Sequence, residues 1–242
     1  MNTEPIDFSI QEAGCLIYVA DRNFGGFEIG RFHEFFGGAK GLDDLILKGA
    51  VMPMSLYQDD GYNVRVRFGE LTEEEAANWT ARVRWKLNFE SGEMIVSGVC
   101  DEDLEDYLEE FGYAEDGIEC DLGYFVRVPK GEHEVAVYSY PPGDLAGGWM
   151  RIEKPDLFKM CFGKESHQEF EKPIDYFTRT RPNETPPAWI NDEFDDIDYL
   201  NFLIQIKPLS GELKQPEFEV DGCILWEYRK PELCPLGLVW EE

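Results

Sequence analysis

The sequence predicts an all-β or β-rich fold, either an antiparallel β-sandwich or a strongly curved sheet, carrying two short helices. Three observations predict it. Val83, Trp85, Leu87 and Phe89 alternate with Arg82, Arg84, Lys86 and Asn88, and Tyr62, Val64, Val66 and Phe68 alternate with Asn63, Arg65 and Arg67. This is the period of two that gives a strand one buried and one wet face. Aromatic residues make up 14% of the chain, which favours strands over helices. Turn residues recur between the apolar runs, as at Asp59-Asp60-Gly61, Glu90-Ser91-Gly92 and Pro129-Lys130-Gly131.

Taken in order, residues 1–13 read as an irregular arm and Cys15–Ala20 as a short apolar strand. Between Asn23 and Gly41, glycines at 25, 26, 30, 37, 38 and 41 are interleaved with Phe24, Phe27, Phe32, Phe35 and Phe36. With no GxGxxG or GxxxxGK[ST] spacing this is no phosphate loop, and it reads as a bending, packed loop or bulged strand. Leu45–Tyr57 reads as a buried strand interrupted at Pro53, followed by the strand Tyr62–Phe68. Thr72-Glu73-Glu74-Glu75 is a capping box: the Thr72 hydroxyl suits the N–H of residue 75, and the Glu75 carboxylate suits the N–H of residue 72. It opens a short helix through Trp79.

The stretch Trp79–Tyr140 then reads as four strands with one insertion. Val83–Phe89 turns at Glu90-Ser91-Gly92 into Met94–Val99, and Tyr124–Val128 pairs hairpin-fashion with Glu134–Tyr140. The insertion, Asp101–Asp121, holds eleven acids and no Lys or Arg. Within it Leu104, Tyr107, Leu108 and Phe111 fall at i, i+3, i+4 and i+7, so residues 102–111 read as a helix with an apolar stripe toward the sheet. Asp101 suits its N-cap and Gly112 its C-terminal turn. Trp149–Glu153 suits a fifth strand, residues 154–174 fit either state, and Arg181–Pro187, with three prolines, is a loop. Phe202–Ile206 and Cys223–Tyr228 read as strands, and the tail from Lys230 wraps the surface. The organisation expected is one domain over residues 1–242. Its β core spans about 45–153, with an N-terminal segment 1–44 and a C-terminal extension 154–242 packed on it.

Fifty acids against 22 basic residues give a net charge of −28. Such a surface excludes direct nucleic-acid binding and anionic-membrane binding driven by overall charge, and favours a basic protein as partner or simple solvation. No apolar run is long enough to span a bilayer, and Met1–Ile10 carries Glu4 and Asp7 with no basic region, so the expected compartment is the cytoplasm. The cysteines at 15, 100, 120, 161, 223 and 234 form no CxxC and are expected as free thiols. His33, His133 and His167 fit no HExxH or HxH spacing, and Asp101, Asp103 and Asp106 lack the EF-hand glycine, so neither a metal nor another cofactor is expected. The cluster Asp192–Asp198 reads as a solvated face.

Two candidate binding surfaces emerge. Glu105, Asp106, Glu109 and Glu110 fall on the solvent side of the acidic insertion. Arg65, Arg67, Arg82, Arg84 and Lys86, joined by Arg127, would form a basic stripe if their strands were neighbours. That stripe either pairs with the protein's own acids, such as those of residues 101–121, or binds an anion or acidic partner. No residue is assigned a catalytic role.

The segment 82–142 resembles a bacterial family, the competence-associated inhibitors of a secreted DNA-entry nuclease. The resemblance lies in RVRWKLNFESGEMIVSGV and, further on, YFVRVPKGEHEVAVYSYPPG. It covers about a quarter of the chain and transfers no functional residue. It implies an inhibitor or immunity-type protein that blocks a basic, nucleic-acid-handling partner. The function expected is therefore a non-catalytic acidic protein-interaction module. The alternative is a carboxylate-dependent hydrolase on a β-sandwich. The oligomeric state is left open.

Overall fold

A computed structural model describes residues 4–13, 16–23, 41–56, 61–99, 123–142, 171–191, 197–219 and 222–240. The acidic insertion, the Phe/Gly stretch and the expected strand Trp149–Glu153 lie outside the described residues. The fold is β-rich, with one strongly curled sheet. Its strands are β1 (Ile6–Ala13), β2 (Leu16–Asp21), β3 (Val51–Ser55), β4 (Gly61–Phe68), β5 (Ala81–Phe89), β6 (Glu93–Val99), β7 (Gly123–Arg127), β8 (Gly131–Ser139), β9 (Phe202–Pro208) and β10 (Glu227–Tyr228). The described helices are α1 (Leu42–Leu47), α2 (Glu73–Asn78) and α3 (Pro173–Thr180), with a 3-10 turn at Ala188–Asn191.

The strand order is β10-β5-β8-β9-β4-β1-β6-β2-β3, with β7 on β6. Most pairings are antiparallel, but β4 runs parallel to β9, and β1 parallel to β6. Two devices curl the sheet. First, β1 serves both halves: Ile6–Gln11 pair with β4, and Glu12 and Ala13 pair with Gly98 and Val99 of β6. Second, β5–β6 and β7–β8 run side by side around a corner. Phe89 pairs with Gly131, the Val128 N–H donates to the Gly92 carbonyl at 3.0 Å, and Glu93 pairs with Arg127. A strand pair that bends without breaking its ladder passes from one layer to the other. Gly92 at the bend has φ +84°, which favours glycine. Buried Asp21, at the end of β2, fixes the corner by accepting from the Ser91 N–H (2.9 Å) and hydroxyl (2.7 Å).

The turns at Glu90–Gly92 and Pro129–Gly131 are therefore correctly placed in the sequence, but neither closes a hairpin. β5 pairs with β8 and β10, β6 with β1, β2 and β7, and β7 does not pair with β8. A turn motif fixes a change of direction and leaves the partner to tertiary packing.

Three local expectations also change. Residues 6–13 form a strand rather than an irregular arm, because Phe8 and Ile10 face the core at every second position. Leu45–Leu47 belong to α1, whose Leu42, Leu45 and Ile46 are buried. The strand begins only at Val51, and Pro53 sits within β3 at the end of the strand path, where a missing N–H is tolerated. Of Cys223–Tyr228 only Glu227–Tyr228 join the sheet, with an isolated bridge from Ile224 to Phe218. The capping box is present as read: the Glu75 N–H donates to Thr72 Oγ1 (3.1 Å) and the Thr72 N–H to Glu75 Oε2 (2.8 Å).

The main core fills the inside of the curl, where Ile17, Val19, Met54, Val66, Leu87 and Ile204 are among the buried side chains. β9 is apolar on both faces, since a second cluster covers the outer face of β8 and β9: Trp79, Tyr138, Tyr140, Leu200, Leu203 and Leu238. The C-terminal tail supplies Leu238, and Val239 bridges Tyr199. Strands from outside residues 45–153 thus enter the sheet at β1, β2, β9 and β10. The free ends of the path are tied together as well. The Ile224 N–H donates to the Pro53 carbonyl (2.9 Å), and Trp226 Nε1–H to the Ser55 carbonyl (2.8 Å), so the segment before β10 covers the β3 edge. Among the described residues no helix is long and apolar enough to cross a membrane.

Candidate functional site

The outer face of the sheet decides what the basic residues can do. β4 and β5 are not neighbours: β8 and β9 lie between them. In register, one row across this face reads Glu227, Arg82, Tyr138, Leu203, Arg65 and Asp7. Three strand spacings, about 14 Å, separate the Arg82 and Arg65 backbones. The continuous stripe is thereby replaced by two separate groups with the aromatic cluster between them.

Each group is paired with acids of the described residues, either across strands or from α2, while the acids of residues 101–121 lie outside the described residues. Arg65 forms a two-pronged pair with Asp7 directly opposite, at 2.8 and 2.6 Å. That bond raises the Arg65 pKa further above its ordinary value. Arg67 donates twice to Glu75 Oε1, at 3.0 and 2.7 Å. Arg82 donates to Glu227, at 3.2 and 2.6 Å, and its guanidinium lies 5.1 Å from the Trp79 ring. Looser contacts hold Arg84 to Glu134 (3.5 Å) and Lys86 to Glu132 (3.7 Å). Arg127 ends β7 on the other half of the sheet, opposite Glu93, and joins neither group.

Two carboxylates are buried among the described residues, and both do structural tasks. Asp21 holds the corner. Glu75, 2% exposed, caps α2, neutralises Arg67, and through its backbone carbonyl accepts from the Tyr140 hydroxyl (2.8 Å). Burial lifts the Tyr140 pKa well above 10.0, and the Glu75 charge lifts it further. At the other end of α2, Arg229 donates to the carbonyls of Ala76, Ala77 and Trp79 and stacks 3.6 Å from the Trp79 ring. The helix is thus capped at one end by its own sequence and at the other by the C-terminal segment.

A groove of about 300 Å³ opens at the β10 side of β5. Arg82 and Arg84 form one wall, and Lys214–Glu217 and Ile224–Glu227 form the other. Three cationic side chains face two acids there, reversing the sign of the protein's charge locally. Lys214 pairs with Glu217 at 3.0 Å while remaining 82% exposed. Arg84 is 42% exposed. The sequence singles out Arg82 and Arg84, but Lys214, Glu217 and Leu225 carry no pattern that marks them, because they arrive from a loop more than 100 residues away.

Glu105, Asp106, Glu109 and Glu110 lie outside the described residues, as do Cys15, Cys100, Cys120, Cys161, His33 and His167. Cys223 and Cys234 are buried free thiols. His133 is buried, with Nδ1 2.9 Å from the Gly131 carbonyl. Among the described residues no three His, Cys, Asp or Glu side chains are grouped to hold a metal ion.

The sequence matches no family model and no curated protein. Two solved structures are similar. One, titled "Crocagin biosynthetic gene J", has 10% identity and a TM-score of 0.44, over 86% of this chain and 99% of the other. The other is ComJ, inhibitor of the DNA degrading activity of NucA, from Bacillus subtilis. It has 8% identity and a TM-score of 0.31, over 57% of this chain and 82% of the other. ComJ is an inhibitor of a DNA-degrading enzyme, the kind of protein that residues 82–142 resemble. At these scores the likeness assigns neither partner nor activity to this chain.

Proposed function

We propose that this chain is a non-catalytic, cytoplasmic protein-interaction module that presents its acids to a basic protein, as an inhibitor or immunity-type protein would. One observation carries the reading. The five cations that the sequence offered as an alternative surface lie 2.6 to 3.7 Å from the chain's own acids. Those pairs take up few of the 50 acids, and the surplus behind the −28 net charge is what the protein offers a partner at long range. A surplus of that size raises the local concentration of a cationic partner and speeds its docking, most strongly at low salt.

The acidic stretch 101–121, through Glu105, Asp106, Glu109 and Glu110, is the foremost binding face in this reading, because it concentrates acids with no base among them. Exposed Glu70, Glu73 and Glu74 around the start of α2 extend the acidic surface. The buried carboxylates Asp21 and Glu75 are committed to the corner and to the cap, so the reading assigns them no part in binding. Changing Glu105, Asp106, Glu109 and Glu110 to Gln and measuring the association rate with a basic partner at low salt tests the proposal.

A further inference from the structure

The ladder between β5 and β10 stops early, and the place where it stops is the groove. The Arg229 N–H donates to the Thr80 carbonyl at 2.9 Å, and Glu227 pairs with Arg82. In the same register the next rung would join Leu225 to Arg84. Leu225 instead gives its N–H to the Glu217 carbonyl at 2.8 Å, and Ile224 gives its N–H to Pro53. The second strand peels away from β5 at Arg84.

The backbone direction of β5 follows from its other contacts. The Asn88 N–H donates to the Gly49 carbonyl at 2.8 Å, away from β8. The β5–β8 register is unbroken from Ala81 to Phe89, so Arg84 and Lys86 share that direction. The Arg84 N–H and carbonyl and the Lys86 N–H therefore point into the short gap in the edge between Glu227, which pairs with Arg82, and Gly49, which lies against the Lys86 carbonyl, and none of the three has a partner among the described residues. Beside them lies the exposed cation Arg84, and the opposite wall carries exposed Lys214, paired with Glu217, and apolar Leu225, 40% exposed.

We propose that this edge receives an extended, acidic segment of a partner protein, which adds as a strand beside Arg84 and Lys86. Main-chain hydrogen bonds to a sheet edge supply affinity, and the alternating side chains supply specificity. A residue set opposite Arg84 places its side chain beside that guanidinium, on the side away from Glu134, so a carboxylate is favoured there. Its neighbours along the segment turn to the other face of the strand. The segment's preferred pattern is thus acidic and apolar residues in alternation. This site is separate from the acidic face proposed above and stands or falls independently of it.

The test uses the full chain and the capped hexapeptide acetyl-Val-Glu-Val-Glu-Val-Glu-amide. Comparison probes are its Val-Lys counterpart, free glutarate, and two forms N-methylated at alternate residues in either phase. The expected result is saturable binding of the Val-Glu peptide, with the amides of Arg84 and Lys86 becoming protected from hydrogen exchange. One N-methylated form, and the Arg84→Gln variant, should bind about fivefold or more weakly, the scale of one lost hydrogen bond. A melting temperature for Arg84→Gln equal to wild type keeps the comparison valid, and the N-methylated peptides need no variant at all. Equal binding of both N-methylated forms, equal binding of the Val-Lys peptide, full competition by glutarate, or no binding would each overturn the proposal.

Discussion

Glu75 divides its carboxylate between two jobs: Oε1 takes both hydrogen bonds from Arg67, and Oε2 closes the cap on the Thr72 N–H. The pair is almost closed to water, with Glu75 at 2% exposure, so its loss leaves Arg67 with an uncompensated charge. Glu75→Ala is expected to cost about 3–5 kcal/mol in urea unfolding, whereas Thr72→Ala costs about 1 kcal/mol. The more exposed Asp7→Asn should cost no more than about 1 kcal/mol. Equal costs at the three positions would mean that burial does not set the strength of these pairs.

The buried thiols give a second expectation. Burial pushes the Cys234 pKa from 9.0 up to about 12, with the Glu171 charge pushing in the same direction and Arg181 and Lys230 pulling it back. Cys223 is buried as well. Since the thiolate is the reactive form, neither should be alkylated by iodoacetamide at pH 8 in the native protein, and both should be alkylated in denaturant. Peptide mapping by mass spectrometry reads each site separately. Native labelling of Cys234 would show that the C-terminal tail opens readily.

Acid stability should depend on Glu171. Arg179, and after it Lys230, hold its carboxyl at about 2, below the ordinary 4.5, against an opposing effect of burial. A depressed carboxyl contributes its stability in full above the unfolded pKa and loses it as pH falls toward the folded one. Glu171→Gln should therefore lower the melting temperature above pH 4.5, with the difference shrinking as the pH drops from 4.5 toward 2. A difference that stayed constant across that range would point to lost packing instead of lost charge.

Much of the sheet is legible in the sequence because its strands advertise a period of two. β4, β5, β6, β8 and β9 all start and stop close to where alternation, apolar runs and turn residues put them. The Thr72–Glu75 box is a purely local device and is read with its partners correct. Pairing is a different matter. Glu90–Gly92 looks like a hairpin turn, yet Phe89 pairs with Gly131 and Glu93 with Arg127, because the chain turns a corner there between two layers. The parallel contact of β4 with β9 joins residues more than 130 positions apart, and no local pattern encodes it. β1 is hidden because Asp7, Ser9 and Gln11 dilute a short run of Ile6, Phe8 and Ile10.

The candidate surfaces divide in the same way. Charge alternation on β4 and β5 reveals that Arg65, Arg67, Arg82, Arg84 and Lys86 point outward. It cannot reveal that two further strands part them, nor that Asp7, Glu75 and Glu227 wait opposite. The groove beside Arg84 is less legible still. It exists because Leu225 bonds to Glu217, and that choice of partner is made by tertiary packing.

In the proposed function the acid surplus recruits a basic partner. The most direct measurement of this is the association rate of a basic protein captured from the source cell at low salt, compared between wild type and a variant with Glu105, Asp106, Glu109 and Glu110 all changed to Gln. Long-range steering acts mainly on the on-rate and is screened over a Debye length of about 8 Å at physiological ionic strength. Slower association is expected for the variant at low salt, with a difference that shrinks as salt is added and a dissociation rate that moves less. An on-rate equal to wild type at low salt would contradict the proposed function and reduce the acidic stretch to a solvating surface.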